Sequence, residues 1–265
     1  MMVRDLKQSK NIINFSKRMV VILILLFFWE TLARLGLINI KVLSSPLEIF
    51  YGIYQLLISG NLLIDIMQSI KRVLIGVALG TIVAVLFSLI LGLSKKAYEY
   101  LGFLLEIFRP IPPIAWIPIA ILWFGIGDAP AYFLVSLGAF FPVFTNTTIA
   151  IKSIERKYID IARSLGASNF MVFLKVIIPL LLPDFISGFR IGLGVGWIIV
   201  ITAEMVGAQN GLGYMIQLNR IMLQTPNVLI GMIVIGIIGL LLSILMNVIE
   251  NMIIPWKRRI ATIEK

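Results

Sequence analysis

The sequence contains no cysteine and no histidine. The first absence rules out disulfides, thiolate nucleophiles and iron–sulfur ligation; the second removes the usual zinc and haem ligand and the commonest acid–base catalyst. Acidic residues are also scarce, 13 against 23 lysines and arginines, so a carboxylate-based active site has little to draw on. No glycine–lysine pair occurs, so the chain carries no phosphate-cradling loop of its own.

What the sequence has in quantity is apolar surface. Of 265 residues, 60% are hydrophobic and only 14% charged, and the mean hydropathy is +1.02. A water-soluble domain of this size could not hide so much of it, whereas lipid as solvent removes the difficulty. The apolar residues fall in continuous runs rather than in short alternating segments, which excludes a transmembrane barrel. The expected class is all-α, a polytopic membrane protein. The net charge of +10 then records topology and calls for no nucleic acid.

The chain divides into a basic segment over 1–18, one membrane domain over 19–256 and a basic tail over 257–265. Six spans are expected. The first starts at Met19 and weakens towards Ile40; no small-x-small cleavage site follows promptly, so it reads as a retained span and not a signal peptide. The others cover about Val73–Leu93, Gly102–Phe124, Ala131–Ile151, Phe185–Met205 and Val228–Ile249, each near the roughly 20 residues that cross a bilayer core. The third carries Pro110, Pro112, Pro113 and Pro118, a density that kinks or breaks a helix. Between the first and second spans, Ile49, Ile53, Leu56 and Leu57 recur at helical spacing after the turn signal Ser44-Ser45-Pro46, giving a short amphipathic helix.

Lys95, Lys96, Lys152, Arg156, Lys157, Arg163, Lys175 and the basic residues of both ends share one side of such a six-span chain. Lys41, Lys71, Arg72 and Arg220 take the other. The positive-inside rule then places both termini in the cytoplasm.

The loop over 152–184 is too long for a turn. Ile159, Ala162, Phe170, Phe173 and Val176 fit short helical pieces; Gly166 is suited to end the first in a left-handed conformation and Ser168 to cap the next. From these residues alone the loop is a helix–glycine–helix elbow open to another protein at Ala162, Gly166 and Ala167, or a basic surface helix lying on headgroups.

Asp160-Ile161-Ala162, three residues, Gly166, nine residues, then Val176-Ile177-Ile178-Pro179 resembles the cytoplasmic signature of binding-protein-dependent ABC importer permeases of type I. That signature runs Glu-Ala-Ala, three residues, Gly, nine residues, Ile-x-Leu-Pro. Trp29-Glu30 with Leu35-Gly36-Leu37, Arg109-Pro110-Ile111-Pro112-Pro113, Trp123-Phe124-Gly125-Ile126-Gly127, Ala203-Glu204-Met205-Val206-Gly207-Ala208 and Gly211-Leu212-Gly213-Tyr214 are similar to the nitrate, sulfonate, taurine and bicarbonate branch. The likeness extends from about Trp29 to Arg259.

The resemblance implies a six-helix permease of the inner membrane with a cytoplasmic coupling helix between helices 4 and 5. It implies a permease homodimer, two ABC ATPase subunits that bind ATP and Mg, and an extracytoplasmic substrate-binding protein. The chain itself would hold no cofactor or metal and catalyse nothing. Asp160, Ala162, Gly166 and the adjoining Ala167 would couple to the ATPase.

Candidates for the solute path or gate are Glu204, Asn146 and Trp197. Glu204 is a carboxylate in an apolar run, able to line a gate or to pair with a basic group such as Arg109. Asn146, with Thr147 and Thr148, could line a path or bond neighbouring helices, and Trp197 could face solute or pack. Arg109 could attract an anion or snorkel to headgroups, and Glu30 has Arg34 one turn away. Gly76 with Gly80, and Gly188 with Gly192 and Gly196, make small-residue faces for close helix contact within the subunit or at a dimer seam. The alternatives are a secondary transporter, for which no internal repeat or ionisable relay is visible, and a membrane-bound enzyme, for which the catalytic inventory is thin.

Overall fold

A computed structural model describes residues 19–37, 39 and 42–255. The basic segment over 1–18, Lys41 and the stretch from Trp256 to Lys265 lie outside the described residues. Among those described, all regular structure is helical. The chain forms two compact units. One comprises the residues up to Leu62 together with Met215–Ile233, the other Leu63–Tyr214 together with the residues from Val234 on.

In the first unit, residues 19–34 form helix α1. Glu30 and Arg34 pair across one turn at 2.8 Å, and the second Glu30 oxygen accepts the amide of Leu47 at 3.2 Å. Gly36, at φ +71°, ends the helix: the amide of Leu37 returns to the carbonyl of Leu32 and that of Gly36 to Ala33, both at 3.2 Å. Helix α2, Pro46–Ile58, opens with a complete capping box, in which the Ser45 hydroxyl accepts the Glu48 amide and the Glu48 carboxylate accepts the Ser45 amide. Its 13 residues reach only about 20 Å, too short to cross a bilayer core of about 30 Å.

Helix α3, Asn61–Leu93, has 33 residues and is about 50 Å long. The apolar run predicted a span from Val73, but the helix extends back to Asn61 because its first turns carry Asp65, Ser69 and Arg72 to partners described below. The third predicted span is two helices, α4 (Tyr98–Phe108) and α5 (Pro113–Phe124), bent by 83° at the break. Pro110, Pro112 and Pro113 have no amide hydrogen to donate; Arg109 is still helical, but Pro112, just before Pro113, is extended at φ −60° and ψ 135°, so the helix does not continue through 109–113. Helix α6 is Asp128–Ser153, α7 is Arg156–Ser164 and α8 is Asn169–Gly207. One π-turn over Phe173–Ile177 loosens α8 just before Pro179, where the regular bonding pattern has to yield. Helix α9 is Leu212–Ile221 and α10 is Thr225–Ile253.

Four of these helices, α3, α6, α8 and α10, are long and apolar enough to cross a membrane, and α4 with α5 makes a fifth if the bent pair is one span. Their outward faces remain apolar: Leu122 in α5, Ile198 in α8 and Leu240 in α10 are each at least 60% exposed. That is unfavourable in water and ordinary in lipid.

The second unit is built on close contact between α6 and α8. A Cβ at Gly188 would lie 2.9 Å from the Pro142 carbonyl oxygen, and one at Gly192 would lie 3.1 Å from that of Ala139. Only glycine lets the two backbones come so near. Gly76 on α3 gives the same access to Val135, with a built Cβ 2.6 Å away. These small-residue faces are therefore occupied within the subunit. Beside them Ala84, Leu91, Phe140, Val143 and Phe144 form a buried cluster. In it Phe140 and Phe144 stack at 5.5 Å and Phe87 meets Phe140 edge-on at 5.9 Å.

Candidate functional site

Three features of the second unit and its loops carry polar chemistry. The first is a buried ion cluster where the start of α3, the start of α6 and the end of α8 converge. Arg72 is 1% exposed and Glu204 is not exposed at all. The guanidinium spends every donor it has. Nε and Nη2 donate to Asp128 Oδ1 at 2.8 and 2.6 Å. Nη1 donates to Glu204 Oε1 at 2.7 Å and to the Asn210 carbonyl at 2.8 Å, and Nη2 also bonds the Asn210 side-chain oxygen.

Glu204 is met from the other side as well. The Ser69 hydroxyl lies 2.8 and 2.9 Å from its two oxygens, and the Gly213 amide donates to Oε2 at 2.9 Å. Ser69 Oγ in turn accepts the Leu212 amide at 2.9 Å, and Asp65 accepts the Gly211 amide at 2.8 Å. Gly211, at φ +104°, brings these amides round. A Cβ there would sit 2.5 Å from the Glu204 carboxyl. Two carboxylates and a set of amides thus compensate one buried guanidinium, the condition under which a buried charge is tolerated.

The sequence singled out Glu204 and offered Arg109 as its partner; the partner is Arg72, which charge counting had assigned to an outer loop. Asp128, Ser69 and Asn210 were not anticipated. Their only signal was indirect: an arginine in the twelfth position of α3 needs a counter-charge once that helix is packed.

The second feature is the 152–184 loop. Helix α7 ends at Gly166, at φ +82°. The Ala167 amide returns to Ala162 at 3.0 Å and the Gly166 amide to Arg163 at 2.9 Å, a Schellman closure. Ser168 Oγ then accepts the Met171 amide at 3.3 Å and starts α8. The elbow is therefore defined by two caps in succession. Asp160 and Gly166 are exposed and Ala162 and Ala167 half-buried. Around them Ile161, Leu165 and Phe170 are 58, 83 and 71% exposed, an apolar set that the described residues leave uncovered.

The third feature is an open cavity of about 170 Å³ between α4 and α6, bordered by Tyr98, Glu106, Arg109, Thr145, Thr148 and Lys152. Of the remaining candidates, Asn146 donates to the Pro142 carbonyl in its own helix at 2.8 Å. Trp197, 6% exposed, donates to the Ile235 carbonyl at 3.3 Å and borders a small cavity with Arg190 and Ser243. Among the described residues, no group of three or more histidine, cysteine, aspartate or glutamate side chains could hold a metal ion.

Residues 76–259 match the family model of the inner membrane component of binding-protein-dependent transport systems. The chain belongs to this family. The permease is 33% identical over 238 residues to a taurine transport system permease protein of Escherichia coli, covering 88% of this chain and 86% of that one. It is 31% identical over 251 residues to a Bacillus subtilis permease protein named for aliphatic sulfonates transport, covering 95% and 91%. With a nitrate import permease protein of Synechocystis the identity is 28%, covering 91% and 90%. The fold is shared with a methionine ABC transporter solved in an inward-facing conformation, at a TM-score of 0.64 and 20% identity, over 74% of this chain and 97% of that one. The protein is thus a non-catalytic, multi-pass permease subunit of the inner membrane; in this family ATP hydrolysis belongs to a separate subunit.

Proposed function

We infer that the permease forms the membrane path of an ATP-driven importer for a small oxoanion, delivered by an extracytoplasmic binding protein and driven by two ABC ATPase subunits on a permease homodimer. ATP and Mg are then held by the ATPase and not by this chain. The substrate class is drawn from the relatives named for sulfonates, taurine and nitrate; a pyrimidine or vitamin precursor is the alternative solute for a permease of this branch. Both termini lie in the cytoplasm and six spans cross the membrane, α1 being the first.

The observation that carries this reading is the doubly capped elbow with its uncovered apolar residues. Asp160, Ala162, Gly166 and Ala167 form its knuckle, and Ile161, Leu165 and Phe170 supply the surface that a cytoplasmic ATPase would bury. Small residues let the partner's backbone come close, and the two caps make the elbow stiff enough to pass a stroke into α8. Glu204, Asn146 and Trp197 border the path as braces, since the Glu204 carboxylate, the Asn146 amide nitrogen and the Trp197 indole nitrogen are already bonded within the wall.

The test is a cysteine placed at Leu165 in this cysteine-free chain, in membranes containing the ATPase and binding protein. A crosslink to the ATPase whose yield changes with ATP is expected. A Leu165 thiol labelled only from the outer face, or never reaching the ATPase, would overturn the reading.

A further inference from the structure

The cavity between α4 and α6 is not used by the coupling elbow or by the ion cluster, yet it is furnished for a ligand. Lys152, at the last turn of α6, holds its Nζ 2.8 Å from the centre of the Tyr98 ring. Arg109, at the end of α4, reaches the same cavity, and among the described residues nothing bonds its guanidinium. One carboxylate is present, Glu106, whose Oε1 accepts the Tyr98 hydroxyl at 3.3 Å. Two cations against one carboxylate leave the cavity positive.

The independent observation is Thr148. It borders the cavity, is only 4% exposed, and its hydroxyl has no hydrogen-bond partner among the described residues. A buried hydroxyl without a partner costs free energy, and a ligand that reaches Thr148 from the cavity would supply the acceptor missing among the described residues. Thr145 offers a second hydroxyl one turn earlier on the same face. The volume, about 170 Å³, matches roughly five waters or one small anion.

We propose that this cavity is an oxoanion site, in which Lys152 and Arg109 supply the charge and Thr148 and Thr145 donate to the oxygens of a sulfonate- or phosphate-type head. The inference rests on the importer reading and deepens it. The cavity lies by Lys152, on the side that carries the lysines and arginines of the 152–184 loop. There it would hold the solute on its way out to the cytoplasm, or the headgroup of an anionic lipid of the inner leaflet. The two sources share one chemistry, and the test separates them.

Ile149→Cys places a thiol unique in this chain at the border of the cavity, and its rate of reaction with N-ethylmaleimide reports occupancy. The assembled transporter is reconstituted without ATP in vesicles of phosphatidylcholine alone, and ethanesulfonate is added. At ten times its dissociation constant, about tenfold slower labelling is expected. In the same background Lys152→Gln should weaken binding by about tenfold or more and so reduce the slowing to about twofold or less, and Lys152→Arg should restore it. Protection that instead requires phosphatidylglycerol and ignores ethanesulfonate, with the same dependence on Lys152, assigns the site to a lipid headgroup and supports the oxoanion chemistry. Labelling slowed by neither, or slowed equally in the Lys152→Gln variant, overturns the proposal. Because the measurement uses no ATP and no contact with the elbow, its failure would leave the Leu165 crosslink to the ATPase untouched, and failure of that crosslink would leave this protection intact.

Discussion

The two ends of the second unit are built on opposite principles. At one end Arg72, Asp128, Glu204, Ser69 and Asn210 join three helices through bonds in which every donor of the guanidinium is taken. At the other, α7 has an exposed apolar face and is shaped mainly by its own caps. In the first arrangement every polar group of the arginine is bonded; in the second, Ile161, Leu165 and Phe170 stay exposed. On the proposed function, the buried charge marks the region that keeps its geometry, and the uncovered leucine and phenylalanine mark the region offered to the ATPase.

Removing a member of the closed end should have the largest effect. Arg72→Met leaves Glu204 buried without its counter-charge and is expected to cost about 3–5 kcal/mol, read as a large fall in the thermal unfolding temperature of the purified permease. Adding Glu204→Met should recover part of that loss; no recovery would mean that Arg72 acts through Asp128 and Asn210 alone. Next comes Gly192→Leu, which forces α6 and α8 apart and should cost about 1–3 kcal/mol in the same assay. At the open end the balance reverses. Gly166→Val places a branched side chain at φ +82°, a strain of about 1–2 kcal/mol confined to the elbow. Membrane insertion and unfolding temperature should change little, while ATP hydrolysis by the assembled complex no longer drives uptake. Normal transport by that variant would remove the coupling role of the glycine. The smallest effect is expected for Ser168→Ala, about 1 kcal/mol of capping, visible as faster amide exchange over Asn169–Phe173 with no shift in global unfolding.

How much of this could be read from sequence follows the range of the interactions. The spans now seen as α6, α8 and α10 were legible because a continuous apolar run of roughly 20 residues is rarely tolerated outside a bilayer, and the proline cluster announced the break between α4 and α5. Contacts within a turn or two were equally plain: Glu30 with Arg34, the left-handed Gly166, the cap at Ser168. The partner of Glu204 was not, because Arg72 lies 132 positions earlier and a charge near the end of an apolar run looks like a loop residue until the helix is known to extend past it. The α4–α6 cavity was hidden for the same reason. Arg109, Thr148 and Lys152 each stand out in the sequence, but as a snorkelling cation, a helix-bonding hydroxyl and a topology marker.

A guanidinium with no donor left over behaves as a rivet and not as a spring. Any sliding of α8 against α3 would have to break several short bonds at once, so these helices must travel together as a single plate. Whatever strain a transport cycle imposes is then passed to places that can give: the 83° corner between α4 and α5, where proline has already removed the hydrogen bonds that would resist, and the π-turn at the root of α8. The stiffness of one arginine thereby decides where the rest of the protein bends.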